Sequence, residues 1–133
     1  MRLTTDSPAP HRRTRALVAL IACIALGIAV TRLGSGELAG FCGDALYAVA
    51  AYLAFTLIWV RLRPAPLAIL TTLVCWAIEF LQATGLPLEL ARQWIGWRYL
   101  LGTTFNPLDL LAYLLGAVLI AGLDLALSRR GTR

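Results

Sequence analysis

The chain has 133 residues, 59% hydrophobic and 14% charged, with a formal net charge of +5 and a mean hydropathy of +0.76. Those proportions exclude a water-soluble domain of this size and assign the chain to a bilayer. All 12 basic residues are arginines; they sit at the ends of hydrophobic runs instead of alternating with aromatics along one face, which fits membrane orientation and head-group contact and argues against a nucleic-acid partner.

Residues 1–15, with Thr4, Thr5, Ser7, Pro8 and Pro10 and with Arg12, Arg13 and Arg15, read as a disordered basic tail. Ala16 to Leu33 is the first apolar run. At about 1.5 Å per residue it is just long enough to cross roughly 30 Å of hydrocarbon, with Arg32 snorkelling at its end. A cleaved signal peptide is the rival reading, but the run lacks an A-x-A exit. Gly34-Ser35-Gly36 breaks the chain before the second run, Phe41 to Val60, and Arg63-Pro64-Ala65-Pro66 forms a turn before the third, Leu67 to Leu86.

Residues 87–105 are too polar to span and read as an interfacial or partly re-entrant segment, with Trp94, Trp97 and Tyr99 suited to the head-group zone. Asn106-Pro107 starts the fourth run, Leu108 to Leu127, with proline at a favourable first-turn position. The expected architecture is therefore an all-α membrane protein: one four-transmembrane-helix bundle over residues 16–128, an interfacial or re-entrant segment between helices 3 and 4, and a short tail over residues 129–133.

Four spans place Arg2, Arg12, Arg13, Arg15, Arg61, Arg63, Arg129, Arg130 and Arg133 on one side and Arg32, Arg92 and Arg98 on the other. The positive-inside rule then puts both termini in the cytoplasm, in the cytoplasmic membrane of a bacterium. Small residues recur at four-residue steps in the first run (Ala19, Cys23, Gly27) and in the fourth (Ala112, Gly116), which lets helix backbones approach closely. Cys23, Cys42 and Cys75 show no C-x-x-C spacing, so neither a zinc site nor a disulfide framework is signalled.

Asp44, Glu79 and Asp109 lie inside three separate apolar runs. A bare carboxylate at membrane depth costs roughly 3 kcal/mol, so each must have a partner. Counted from the expected span ends, Asp44 and Asp109 lie within about one turn of the outer end, and Glu79 lies about 18 Å up the third helix with Gln82 one turn higher on the same face. Arg92 and Arg98 are the nearby cations able to neutralise these acids through two-pronged contacts. Three acids against two arginines leave one negative charge over, so either one carboxyl keeps a proton or a further cation or proton comes from elsewhere. Three roles remain open for this cluster: a staple joining the helices, an outward-opening pocket for a lipid head group or envelope precursor, and a proton or ion path. Asp124, followed by Arg129 and Arg130, reads as an exposed end-of-helix carboxylate of little functional weight.

Gly43-Asp44, Glu79-Phe80-Leu81-Gln82 and the run from Phe105 to Gly116, F-N-P-L-D-L-L-A-Y-L-L-G, together resemble a family of small bacterial four-span membrane proteins of unknown function, over roughly residues 15–127. More remotely the chain is similar to the VanZ-like membrane proteins, whose order of an early acid, E-x-x-Q, an arginine and a late D-x-x-x-N-x-x-G is met by Glu79, Gln82, Arg92, Asp109 and Gly116. Tyr113 stands where that pattern has asparagine, and Tyr47 where a histidine often follows the first acid. The resemblance implies a link to the cell envelope and, in some members, to glycopeptide resistance.

An enzyme would need a positioned base or nucleophile and a charge-stabilising group. Glu79 or Asp109 could act as base, Arg92 or Arg98 could hold a phosphate, and Tyr113 could donate a proton. Against this, the only histidine is His11, no serine occurs in a span before Ser128, and no phosphate loop or metal-ligand cluster is present, so no metal or cofactor is expected. A proton-coupled transporter would need several copies to enclose a path. A non-catalytic accessory or binding protein of the envelope demands least. Its partners would be membrane lipids, including an anionic head group held by Arg92 and Arg98, and a membrane protein or a second copy of the chain.

Overall fold

The structure, a computed structural model of the chain, describes residues 9–102 and 104–130. Six helices follow one another: α1 (Ala9–Leu33), α2 (Gly36–Ile58), α3 (Pro64–Gln82), α4 (Leu86–Gln93), α5 (Gly96–Leu101) and α6 (Pro107–Arg130). The segments His11–Leu33, Gly36–Ile58, Pro64–Gln82 and Pro107–Arg129 are long and apolar enough to cross a membrane. The protein is a four-helix membrane bundle, and α4 and α5 are too short to span and pack beside the end of α3.

Helix boundaries differ from the hydropathy reading at several ends. The α1 helix begins at Ala9, so the last part of the expected tail is helical, and α2 begins at Gly36 instead of Phe41. Residues 1–8 and 131–133 of the two expected tails lie outside the described residues. The third span begins at Pro64, because proline is tolerated in a first helical turn, and stops at Gln82 before Gly85 adopts a left-handed conformation.

By alternation, α2 and α6 run parallel to one another, and α1 and α3 run against them. The α2 helix is central: α1 packs on one side of it, and α6 and α3 on the other. Small side chains make this possible. Ala16, Cys23, Ala48, Ala112 and Ala117 are buried, and α2 and α6 approach closely at Gly116, where an added Cβ would collide with the Ala45 carbonyl oxygen. Hydroxyls inside the spans bond to their own helix, as in Thr56 to the Tyr52 carbonyl (2.9 Å) and Thr71 to the Leu67 carbonyl (2.8 Å), which removes the cost of a bare donor in hydrocarbon. Leu17, Val18, Ile21 and Ile28 of α1, and Leu115, Val118 and Leu119 of α6, point outward, as side chains bathed by lipid tails do.

Candidate functional site

Two polar clusters occupy opposite ends of the bundle. At the end formed by the start of α2, the end of α3 and the start of α6, Glu79 is completely buried. Its Oε1 accepts the backbone N–H of Asn106 at 2.7 Å, and its Oε2 accepts the Tyr113 hydroxyl at 3.3 Å. Asn106 in turn uses its Oδ1 to accept the Leu108 N–H at 3.2 Å, capping α6. Glu79 thus ties α3 to the first turns of α6, and the local geometry follows from Asn106-Pro107 setting where α6 starts.

Beyond Glu79 lies a cavity of about 230 Å³. Asp44, Tyr47, Gln82, Asp109 and Tyr113 line it, and the α5 segment forms one wall. The α2 helix starts earlier than hydropathy suggests, so Asp44 sits more than two turns beyond Gly36, deeper than its expected place near the helix end. Asp44 and Asp109 face each other closely enough for direct side-chain interaction, with Tyr113 between Asp44 and Glu79. Asp109 lies in the first turn of α6, where the helix dipole favours negative charge.

The wall formed by α5 is latched from inside the cavity. The Tyr47 hydroxyl donates to the Leu100 carbonyl at 2.7 Å, and Gln82 Nε2 donates to the Leu101 carbonyl at 2.6 Å. Gly102, at φ 67° and with the Gln82 amide against it, occupies a place where a side chain would meet both backbone strain and a clash. Gln82 Oε1 is buried and has no hydrogen-bond partner.

The seven residues expected to form one cluster therefore separate into two groups. Asp44, Glu79, Gln82, Asp109 and Tyr113 converge. Arg92 and Arg98 do not join them, which corrects the expected pairing of acids with arginines. Arg92 pairs with Glu89 one turn earlier on α4 at 3.2 Å, both side chains being well exposed at 69% and 61%, and Arg98 is exposed on α5. The physical reason is that both arginines lie on short helices at the edge of the bundle, where water solvates a guanidinium, and neither helix turns them toward the interior. The acid end consequently holds three carboxyls with no basic side chain lining its cavity among the described residues.

Glu79 supplies a test of the hydrogen-bond arrangement. Glu79→Leu leaves the Asn106 N–H and the Tyr113 hydroxyl without an acceptor, and it is expected to lower stability in detergent by about 2 kcal/mol or more. Glu79→Gln can accept from Asn106 and donate to a rotated Tyr113 hydroxyl, so its loss is expected to be under about 1 kcal/mol. Denaturant titration followed by circular dichroism reads the difference, and equal losses for both variants would refute the arrangement.

Residues 33–117 match a family described as protein of unknown function, DUF2809. The chain belongs to that family. The stretch of DUF2809 matched here runs from the end of α1 to Ala117 in α6, so it contains Asp44, Glu79, Gln82, Asp109 and Tyr113. No curated protein and no solved structure matches the chain.

The second cluster of this DUF2809 protein lies outside the matched stretch at both of its charged residues. Asp124, expected to be exposed, is instead largely buried and paired with Arg12, their side chains being 14% and 13% exposed. Arg12 Nε and Nη2 contact the two carboxylate oxygens at 3.3 and 2.6 Å, and the Tyr52 hydroxyl donates to Oδ2 at 2.7 Å. Arg12 Nη1 also donates to the Val60 and Leu62 carbonyls, in the turn that follows α2. Sequence distance hid this pair, since 112 residues separate the partners. The available signal was Tyr52 and Thr56 one turn apart near the end of the second run, at the depth that an Asp124 inside apolar sequence would need.

Proposed function

We propose that this protein is a non-catalytic accessory protein of the bacterial cell envelope, whose acid-lined cavity binds the head group of a membrane lipid or envelope precursor. The observation that carries this reading is the cavity itself: about 230 Å³ lined by Asp44, Asp109 and Gln82 at one end of a bundle otherwise built of apolar helices. A membrane protein that needed carboxyls only to staple helices would bury them against donors, as it does with Glu79 and Asp124. The arginine asymmetry supports a cytoplasmic membrane with both termini inside, so the cavity opens to the outer side. The VanZ-like order of residues supports the link to the envelope.

Head-group binding is checked by native mass spectrometry of the protein extracted in mild detergent from bacterial membranes. The wild type is expected to retain lipid or lipid-linked adducts that Asp44→Asn/Asp109→Asn loses, while Glu89→Gln, altering an exposed pair on α4, retains them. Equal adduct retention by all three proteins, or no adduct on the wild type, would count against the proposal.

A further inference from the structure

We propose that the cavity recognises an organic ammonium group, of the kind an aminophospholipid carries in its head group. This inference rests on the head-group reading above and deepens it by naming the charge and donor character of the ligand. It reverses the charge expected when Arg92 and Arg98 were assigned to the cluster.

Asp44 and Asp109 come together with no arginine lining the space around them among the described residues. Two carboxyls brought together in a medium of low dielectric repel, and a cation in the cavity beside them relieves that repulsion. A second observation is independent of the acids. Gln82 is only 8% exposed, its Nε2 is committed to the Leu101 carbonyl, and its Oε1 accepts nothing. Buried amide oxygens are nearly always paired, so the open acceptor of Gln82, a residue of the cavity wall, has a place for a donor that the protein does not supply. Carboxylates and an amide oxygen are acceptors, and an ammonium offers several N–H donors together with positive charge.

The wall and its size favour an organic cation over a metal ion. Tyr47 and Tyr113 line the cavity with ring centroids 6.1 Å apart, and aromatic faces attract ammonium groups. Among the described residues no group of three or more His, Cys, Asp or Glu side chains is arranged to hold a metal. A volume of about 230 Å³ exceeds by several-fold what a bare ion needs. The neighbouring α4–α5 segment exposes Trp94 and Tyr99, which suits the lipid interface from which a head group would enter.

The experiment varies the ligand on the unaltered protein, so it does not depend on a variant folding. The full chain in detergent is offered phosphatidylethanolamine, its N-acetylated derivative or phosphatidylglycerol, and separately glycerophosphoethanolamine; native mass spectrometry and thermal melting read binding. Phosphatidylethanolamine is expected to be retained about tenfold more than the other two lipids, the difference that one charge-assisted hydrogen bond makes. Asp44→Asn/Asp109→Asn should collapse that preference. If glycerophosphoethanolamine stabilises the protein as strongly as the lipid, the ammonium class holds and its source is a soluble amine. Equal or greater retention of phosphatidylglycerol or the acetylated lipid would overturn the ammonium inference while leaving head-group binding in place. Failure of all four probes to bind would overturn both.

Discussion

Asp124→Ala is expected to destabilise the bundle by roughly 3–5 kcal/mol, the usual consequence of removing one member of a buried ion pair and stranding the other. The Arg12 guanidinium would keep only the Val60 and Leu62 carbonyls, and the Tyr52 hydroxyl would lose its acceptor. Arg12→Met should cost a similar amount by stranding the carboxylate. The double variant Arg12→Met/Asp124→Leu should lose much less than the sum, because no charge is left buried and apolar groups fill the space. Loss should concentrate in α1, which packs on α2 and gains its second anchorage through Arg12. Hydrogen exchange over residues 12–20, together with denaturant titration, measures both effects. Wild-type stability in Asp124→Ala would show that the pair contributes nothing.

Gly116→Val should have the second strong effect. An added Cβ falls well inside contact distance of the Ala45 carbonyl oxygen, and it lies 3.0 Å from the carbonyl carbon and 3.1 Å from the Cα. These are backbone atoms, so the clash cannot be relieved by turning a side chain, and α2 must move away from α6. A loss at the upper end of the roughly 1–3 kcal/mol range for overpacking is expected. Because Ala45 adjoins Asp44, the same displacement should separate Asp44 from Asp109 and abolish retention of any ligand held between them. Gly122→Ala, six residues on in the same helix, meets nothing within 4 Å and should keep or slightly raise stability. Thermal melting of the two variants side by side checks this. Similar melting of both would mean that the close approach at Gly116 does not limit packing.

The four spans were legible because hydropathy and length are properties of a segment, and a segment that must satisfy its backbone in lipid has little choice but helix. The break at Gly34-Ser35 was legible for the same local reason, whereas Pro64-Ala65-Pro66, expected as a turn, opens α3. Asp44, Glu79, Gln82, Asp109 and Tyr113 could be singled out as residues needing an explanation, since hydrocarbon penalises polar side chains wherever a helix carries them.

Partner choice was a different kind of question. Sequence proximity and charge suggested Arg92 and Arg98 for the acids, whereas the tertiary arrangement sends Arg92 to Glu89 and leaves Glu79 to a backbone N–H and a tyrosine hydroxyl. It likewise joins Arg12 to Asp124 across almost the whole chain. Hydropathy records how much a residue dislikes lipid, and each side chain could meet that demand with any donor its helix happened to face. Only the tertiary arrangement determined which donor that was: α3 against α6 gave Glu79 its partners, and α2 against α6, in close approach at Gly116, left a cavity lined with acceptors.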